Sequence, residues 1–286
     1  MSITTSTQIT RYYEDFKDID ITFTKEVIRA SLLNTKQIYL KLLGYQWPCI
    51  IYSSSLSGAK IIANITPQLK KAMQQSKSGI SLRFSFLQRD KRDPISFFVP
   101  CKVAGFTPYQ SAKGNLHFIN MNFTQRPPDD LIEILGRILE ANSAAKHRRD
   151  ERIVITAESI AGLGLNSKGG LLVVDGVPRK CIIRDLSFGG SKIILVGVAK
   201  FLVNKQIQLR LTFGDPQETL DIPGTIIRFE PVQGRDDLAA FAVQFDSEKI
   251  PMRLKMRINA YFKGRNKHKP VKQPNAKQPD PSEEQA

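Results

Sequence analysis

The chain has 286 residues, 41% of them hydrophobic, and a formal net charge of +15, which supplies apolar material for two modest domains with separate cores. No run approaches the roughly eighteen apolar residues that span a bilayer, and residues 1–10 lack the basic and apolar parts of a signal peptide, so a cytoplasmic protein is expected. The charge favours a polyanionic partner, whether nucleic acid, an anionic membrane surface or a small phosphodiester.

In chain order, residues 1–126 alternate short apolar runs with turn residues, at 37–43, 47–53, 59–65, 80–87, 95–106 and 116–123. β-Branched and aromatic residues dominate these runs, and the spacing predicts an antiparallel sheet curled into a six-stranded-type barrel. A short helix is expected over 69–75. Pro127-Pro128-Asp129-Asp130 then opens a helix over 131–145, because proline suits the first helical turn and the acidic pair complements the positive end of the dipole. Leu131, Leu135, Ile138 and Leu139 fall on one face, so 127–145 reads as a linker helix packed on a barrel. Strand character returns over 146–248, at 171–174, 180–184, 192–196, 206–213, 224–229 and 239–245, and an amphipathic helix over 252–262 closes the domain 146–262. Residues 263–286 are rich in Lys, Gln, Pro and Glu and read as a disordered basic tail. The expected fold class is mainly β: two antiparallel barrels joined by a linker helix, with a C-terminal helix and a tail.

Cys49, Cys101 and Cys181 show no CxxC spacing, and His117, His147 and His268 are equally scattered. The cysteines read as small buried apolar residues; no metal site and no cofactor are expected. The chain lacks a GxSxG elbow, a P-loop, an HExxH pair and a Cys–His pair close in sequence. No catalytic residue is expected, and the chain reads as a binding protein rather than an enzyme.

An internal echo bears on the fold. Residues 52–62 and 184–194 align without a gap, placing Ser55, Gly58, Lys60, Ile61 and Ile62 on Ser187, Gly190, Lys192, Ile193 and Ile194. Two related barrels would produce this.

The junction after the linker reads Lys146-His147-Arg148-Arg149-Asp150-Glu151-Arg152, followed further on by Arg184-Asp185-Leu186-Ser187-Phe188-Gly189-Gly190. Arginine forks meet phosphate oxygens and the N7 and O6 acceptors of guanine with paired charge-assisted hydrogen bonds. A carboxylate such as Asp185 can accept from the opposite guanine edge, and glycine admits close approach. Either segment alone reads as a solvated linker or an ordinary polar β-turn; together and in order they carry more. The pair resembles the RxxxR and [DN]xSxxG signatures of the PilZ family, with Arg148 and Arg152 on the first and Asp185, Ser187 and Gly190 on the second.

That resemblance implies a PilZ-type barrel over 146–262 that binds cyclic di-GMP through Arg148, Arg152, Asp185, Ser187 and Gly190, with Arg149 a further candidate. It also implies that the arginine-bearing stretch 146–152 wraps onto the barrel when ligand binds. The first half departs from the pattern: Ser53 stands where Asp185 does, and the only arginines upstream are Arg11 and Arg29. It is therefore expected to be a PilZ-like barrel without the ligand motif. The layout is similar to flagellar-brake receptors, in which the N-terminal domain is an interaction module, so a downstream protein partner and motility regulation are implied. The competing reading is a basic double barrel that binds nucleic acid. It lacks strands on which aromatic and basic residues interleave, since Phe84, Phe86, Phe97 and Phe98 read as core.

Overall fold

The computed structural model describes residues 4–75, 79–89, 91–109, 115–196 and 199–267; the expected tail beyond 267 lies outside the described residues. The chain opens on a helix. α1 (Ser6–Phe16) starts where the Thr5 hydroxyl accepts from the Gln8 amide, and it packs Ile9, Tyr12, Tyr13 and Phe16 against the first core. β1 (Ile21–Thr22) and α2 (Lys25–Ser31) follow, then β2 (Tyr39–Leu42), β3 (Tyr45–Pro48), β4 (Ile50–Ser54) and β5 (Gly58–Asn64). α3 (Pro67–Gln75) precedes β6 (Ile80–Phe86), β7 (Ile95–Pro108) and β8 (Leu116–Phe123).

These strands form one antiparallel sheet in the order β1-β4-β5-β8-β7-β6-β2-β3. Cys49 alone separates β3, at one edge, from β4, beside the other. The two are successive pieces of one strand path, and the sheet closes on itself as a barrel.

α4 (Asp129–His147) leads into the second half: β9 (Ile153–Val154), α5 (Ala157–Leu163), β10 (Gly169–Val174), β11 (Val177–Leu186), β12 (Gly190–Val196), β13 (Gln206–Phe213), β14 (Glu218–Val232), β15 (Arg235–Phe245) and α6 (Met252–Lys267). The sheet order is β10-β13-β14-β15-β12-β11-β9, and a further β10–β11 pairing closes six strands into an antiparallel barrel. α6 extends beyond the expected 252–262, so residues 263–267 are helical rather than tail.

The echo is structural. Ile21 pairs with Ser54 and Ile153 with Leu186; Ile21 to Ile153 and Ser54 to Leu186 are each 132 residues apart. At the same spacing, α2 recurs as α5, capped by the Thr24 and Thr156 hydroxyls. The β2–β3 and β10–β11 hairpins turn at Leu43-Gly44 and Asp175-Gly176, with positive φ at both central residues of each, which matches strand twist in a two-residue turn. Bulges interrupt the pairing at Ile51/Ser53 and again at Ile183/Asp185.

Each barrel has its own core. Leu40, Ile61, Leu82, Phe84, Val99 and Ile119 fill the first, covered by Leu131, Ile132, Leu135 and Ile138 of α4. Leu172, Ile193, Leu209, Phe213 and Phe241 fill the second, covered by Leu254, Ile258 and Phe262 of α6. Each such side chain contributes about 1.5–3 kcal/mol when fully buried. Met252 and Met256 of α6 reach the first core, so α6 joins the halves. The three cysteines are buried, and burial pushes the Cys49 and Cys101 thiols up to about 12 and Cys181 to about 11. Phe84, Phe86 and Phe97 are core as expected, but Phe98 is 47% exposed: adjacent residues of a strand face opposite sides, so Phe97 and Phe98 cannot both point inward.

Candidate functional site

The candidate residues converge at the end of α4 and the β11–β12 turn. α4 carries the chain two residues further than the expected helix, through Lys146 and His147, and ends as the Arg148 amide bonds back to Ala144 O. The next residues cross to the barrel, where β9 pairs with the end of β11 at Asp185 and Leu186.

Arg152 lies at the start of that pairing, and its Nη1 donates to Asp185 Oδ1 at 2.7 Å. The same oxygen accepts the Lys192 amide at 2.8 Å. Asp185 is largely shielded, with its side chain 15% exposed, and among the described residues Oδ2 takes no hydrogen bond. The backbone at Asp185 is fixed as well, since Ser191 Oγ donates to Asp185 O at 2.7 Å.

Arg149 backs onto the turn. Its carbonyl accepts the Gly189 amide at 2.9 Å, and a Cβ on Gly189 would stand 2.8 Å from Arg149 Cγ. Gly189 is thus a site residue that the motif hides as an unspecified position. Arg148 is placed elsewhere: its guanidinium lies 5.9 Å from the Phe262 ring centroid of α6, with Nε 4.0 Å from Glu151. The structure therefore brings Arg149 and Arg152 to the 185–190 segment and leaves Arg148 at the α4–α6 side. Arg149 and Arg152 thus tie the 146–152 stretch to the barrel.

Ser187 and Gly190 hold the turn together from within. Ser187 is 2% exposed; its hydroxyl accepts from the Gly190 amide and donates to Gly190 O. Gly190 needs no left-handed backbone; a Cβ there would stand 2.2 Å from Val243 O of β15. The first barrel repeats this turn: the Gly58 amide bonds to Ser55 Oγ, and a Cβ on Gly58 would meet Met121 O at 2.5 Å. In both barrels the serine holds the turn and the glycine lets the paired strand approach closely. What distinguishes the halves is charge: at the same spacing Phe16, Lys17, Asp20 and Ser53 stand for Arg148, Arg149, Arg152 and Asp185.

Beside the turn, a cleft of 380 Å³ is lined by Lys146, Arg149 and Lys255 together with Phe188, Phe245 and Ile250. Among the described residues no carboxylate lines it. Burial, and then the neighbouring Lys146 charge, lower the pKa of Lys255, whose Nζ donates to Asn142. Lys255 lies on α6, far from either motif in sequence, so only the fold brings it here. Among the described residues no group of three or more His, Cys, Asp or Glu could hold a metal ion, and no helix is long and apolar enough to cross a membrane.

Residues 7–142 match the PilZN3 domain and residues 146–264 the PilZ domain. A Treponema denticola protein named cyclic di-GMP binding protein is 45% identical over 262 residues, which cover 92% of this chain and 83% of that protein. Among solved structures, the Borreliella burgdorferi PlzA protein in complex with c-di-GMP is 24% identical, with 90% of this chain and 99% of that chain covered at a TM-score of 0.41. The K. pneumonia MrkH–c-di-GMP complex is 12% identical, with 92% and 95% covered at a TM-score of 0.31.

Proposed function

The chain belongs to the PilZ family, a PilZN3 domain followed by a PilZ domain, and from that membership we propose that it is a receptor for cyclic di-GMP rather than an enzyme. The observation that carries the reading is the Arg152–Asp185 pair, held at 2.7 Å on the second barrel and replaced by Asp20 and Ser53 in the first. A 45%-identical relative bears the name of that ligand.

The chemistry fits a cyclic dinucleotide. Asp185 Oδ2 can accept from the N1–H and N2–H edge of guanine while Oδ1 stays on Arg152. Arg152 and Arg149 present forks to phosphate oxygens or to the guanine N7/O6 edge, and the Lys146–Arg149–Lys255 cleft supplies a positive field for the two phosphodiester charges. Ser187 and Gly190 keep the turn in shape.

Arg148 is the residue that moves in this account. Ligand draws it from Phe262 toward the turn, which changes how α4 meets α6 and so reorients the two barrels. Fixing Arg148 in its new place costs about 1–2 kcal/mol, which a charge-assisted contact of about 1.5–3 kcal/mol offsets. The output is a changed surface for a downstream protein partner, with motility regulation the role that the family resemblance implies. The reading of the whole chain as a nucleic-acid-binding double barrel is not favoured, because the second barrel pairs Lys192, Arg210, Arg228 and Arg235 with carboxylates.

The test is titration with cyclic di-GMP of wild type, Asp185→Ala and Arg148→Ala/Arg152→Ala. Saturable binding lost by at least tenfold in both variants is expected, and near-normal affinity in the double variant would sink the clamp.

A further inference from the structure

The two barrels treat their surface charge in opposite ways. Residues 27–128 carry fourteen basic and two acidic residues, a net +12 of the chain's +15. The barrel without the ligand motif therefore holds most of the excess. None of β2 to β8 contains an Asp or Glu, so an outward cation there has no cross-strand carboxylate to face. Lys41, Lys60, Arg83 and Lys102 form no ion pair among the described residues.

Aromatic rings stand beside these cations instead. On β4, β5 and β8, Tyr52 and Phe118 meet edge to face at 5.2 Å, and Lys60 Nζ lies 4.4 Å from the Phe118 centroid and 5.4 Å from that of Tyr52. Tyr109 extends this group at 5.1 Å from Phe118. Around the same barrel, on β2, β6 and β7, Arg83 lies 5.0 Å from the Tyr39 centroid and 5.9 Å from that of Phe98, with Lys41 also over Phe98. Phe98 is 47% and Tyr52 42% exposed. Two buried side-chain nitrogens without a hydrogen-bond partner among the described residues, Trp47 Nε1 and Arg83 Nε, belong to strands that flank β2.

We propose that this outer face of the first barrel is a binding surface for single-stranded nucleic acid. Unpaired cations that track a phosphate backbone, interleaved with exposed rings on which bases stack, are what such a ligand requires. An acidic protein segment would use the cations and leave the rings idle; a membrane surface would call for apolar groups at the rim of a patch rather than rings on strand faces. The aromatic–basic interleaving that short sequence windows conceal arises because Tyr52, Lys60 and Phe118 come from three strands. The surface is independent of the cyclic di-GMP site, so either can fail without the other.

The experiment is fluorescence anisotropy on the full chain with a labelled oligothymidylate, an oligouridylate and a duplex of equal length, over a range of salt. The single strands are expected to bind more tightly than the duplex. Lys60→Gln/Arg83→Gln should weaken single-strand binding by about tenfold or more and reduce the slope of log affinity against log salt by about 0.7 per charge removed. Tyr52→Ala should cost about tenfold through lost stacking, while Lys205→Gln/Arg228→Gln on the second barrel should change nothing. Circular dichroism confirms that each variant is folded; if Tyr52→Ala is not, Tyr52→Ser serves. Equal or tighter duplex binding, affinity untouched by the first-barrel variants, or capture of anionic phosphatidylglycerol vesicles with no oligonucleotide binding would each overturn the proposal. Preference for one of the two single strands would identify the natural class as RNA or DNA and support it.

Discussion

At the scale of single residues, the proposed site divides the motif into groups placed to meet ligand and groups that shape the turn. Asp185 and Arg152 belong to the first, Ser187 and Gly190 to the second. Ser187→Ala leaves the buried Gly190 amide without its acceptor, which costs about 1–3 kcal/mol. Ser55→Ala removes the same bond from the first barrel, so the two variants should lower thermal stability by similar amounts. A Ser187→Ala protein as stable as wild type would contradict the structural role. Asp185→Asn tests the other group: it keeps the shape but replaces one acceptor oxygen with a donor facing guanine donors. Its expected effect is lost affinity with little change in thermal midpoint.

Lys255 adds a pH dependence. In the free protein its pKa lies below the usual lysine value, first because it is buried and then because Lys146 stands near; Arg149 is the other charge lining the cleft. The unfolded chain then binds more protons than the folded one between the lowered value and 10.5, so this group makes stability rise with pH in that window. An anionic ligand acts the other way and raises the pKa. Binding should take up a fraction of a proton on the alkaline side, which calorimetry in buffers of different ionisation enthalpy detects, and Lys255→Gln should abolish that uptake.

At the scale of elements, close approach between paired strands fixes where glycine is required. Gly190→Ala would set a methyl 2.2 Å from Val243 O and Gly58→Ala one 2.5 Å from Met121 O. Each should destabilise its own barrel by about 1–3 kcal/mol or more, read as a lowered midpoint in thermal unfolding. The sequence made the strands legible because alternation of apolar residues persisted through both barrels, and the Ser-x-x-Gly echo revealed the repeat. It did not make α1, α2 and α5 legible. α2 and α5 are only seven residues long, too short for a helical period to stand out, although Thr156 and Ser159 at one end and Gly164 at the other are cap signals. The arginine pair was legible as a spacing, but its splitting was not: whether Arg148 faces the turn or Phe262 depends on where α4 ends.

At the scale of the molecule, α4 and α6 join the two barrels. Glu140 of α4 accepts from Arg11 and Tyr12 of α1 and from Asn259 and Lys263 of α6, and its side chain is only 14% exposed. Burial, followed by the Glu140 charge, raises the pKa of Tyr12. Glu140→Gln leaves these donors with a weaker acceptor, so the interface should loosen. The expected reading is a broader distribution of inter-barrel distances in solution scattering, with cyclic di-GMP affinity changed by less than the site variants change it. Arg148 lies one ring away from this joint, over Phe262, so the proposed capture of Arg148 by ligand would alter it.

The most direct test of the central claim is calorimetric titration of cyclic di-GMP, at physiological salt, into wild type, Arg152→Ala and Ser53→Ala. The account predicts saturable binding to wild type and Ser53→Ala alike, and affinity reduced by at least tenfold in Arg152→Ala, since one charge-assisted contact is worth about 1.5–3 kcal/mol. Absence of heat with folded wild-type protein, or binding that Arg152→Ala leaves intact, would contradict it.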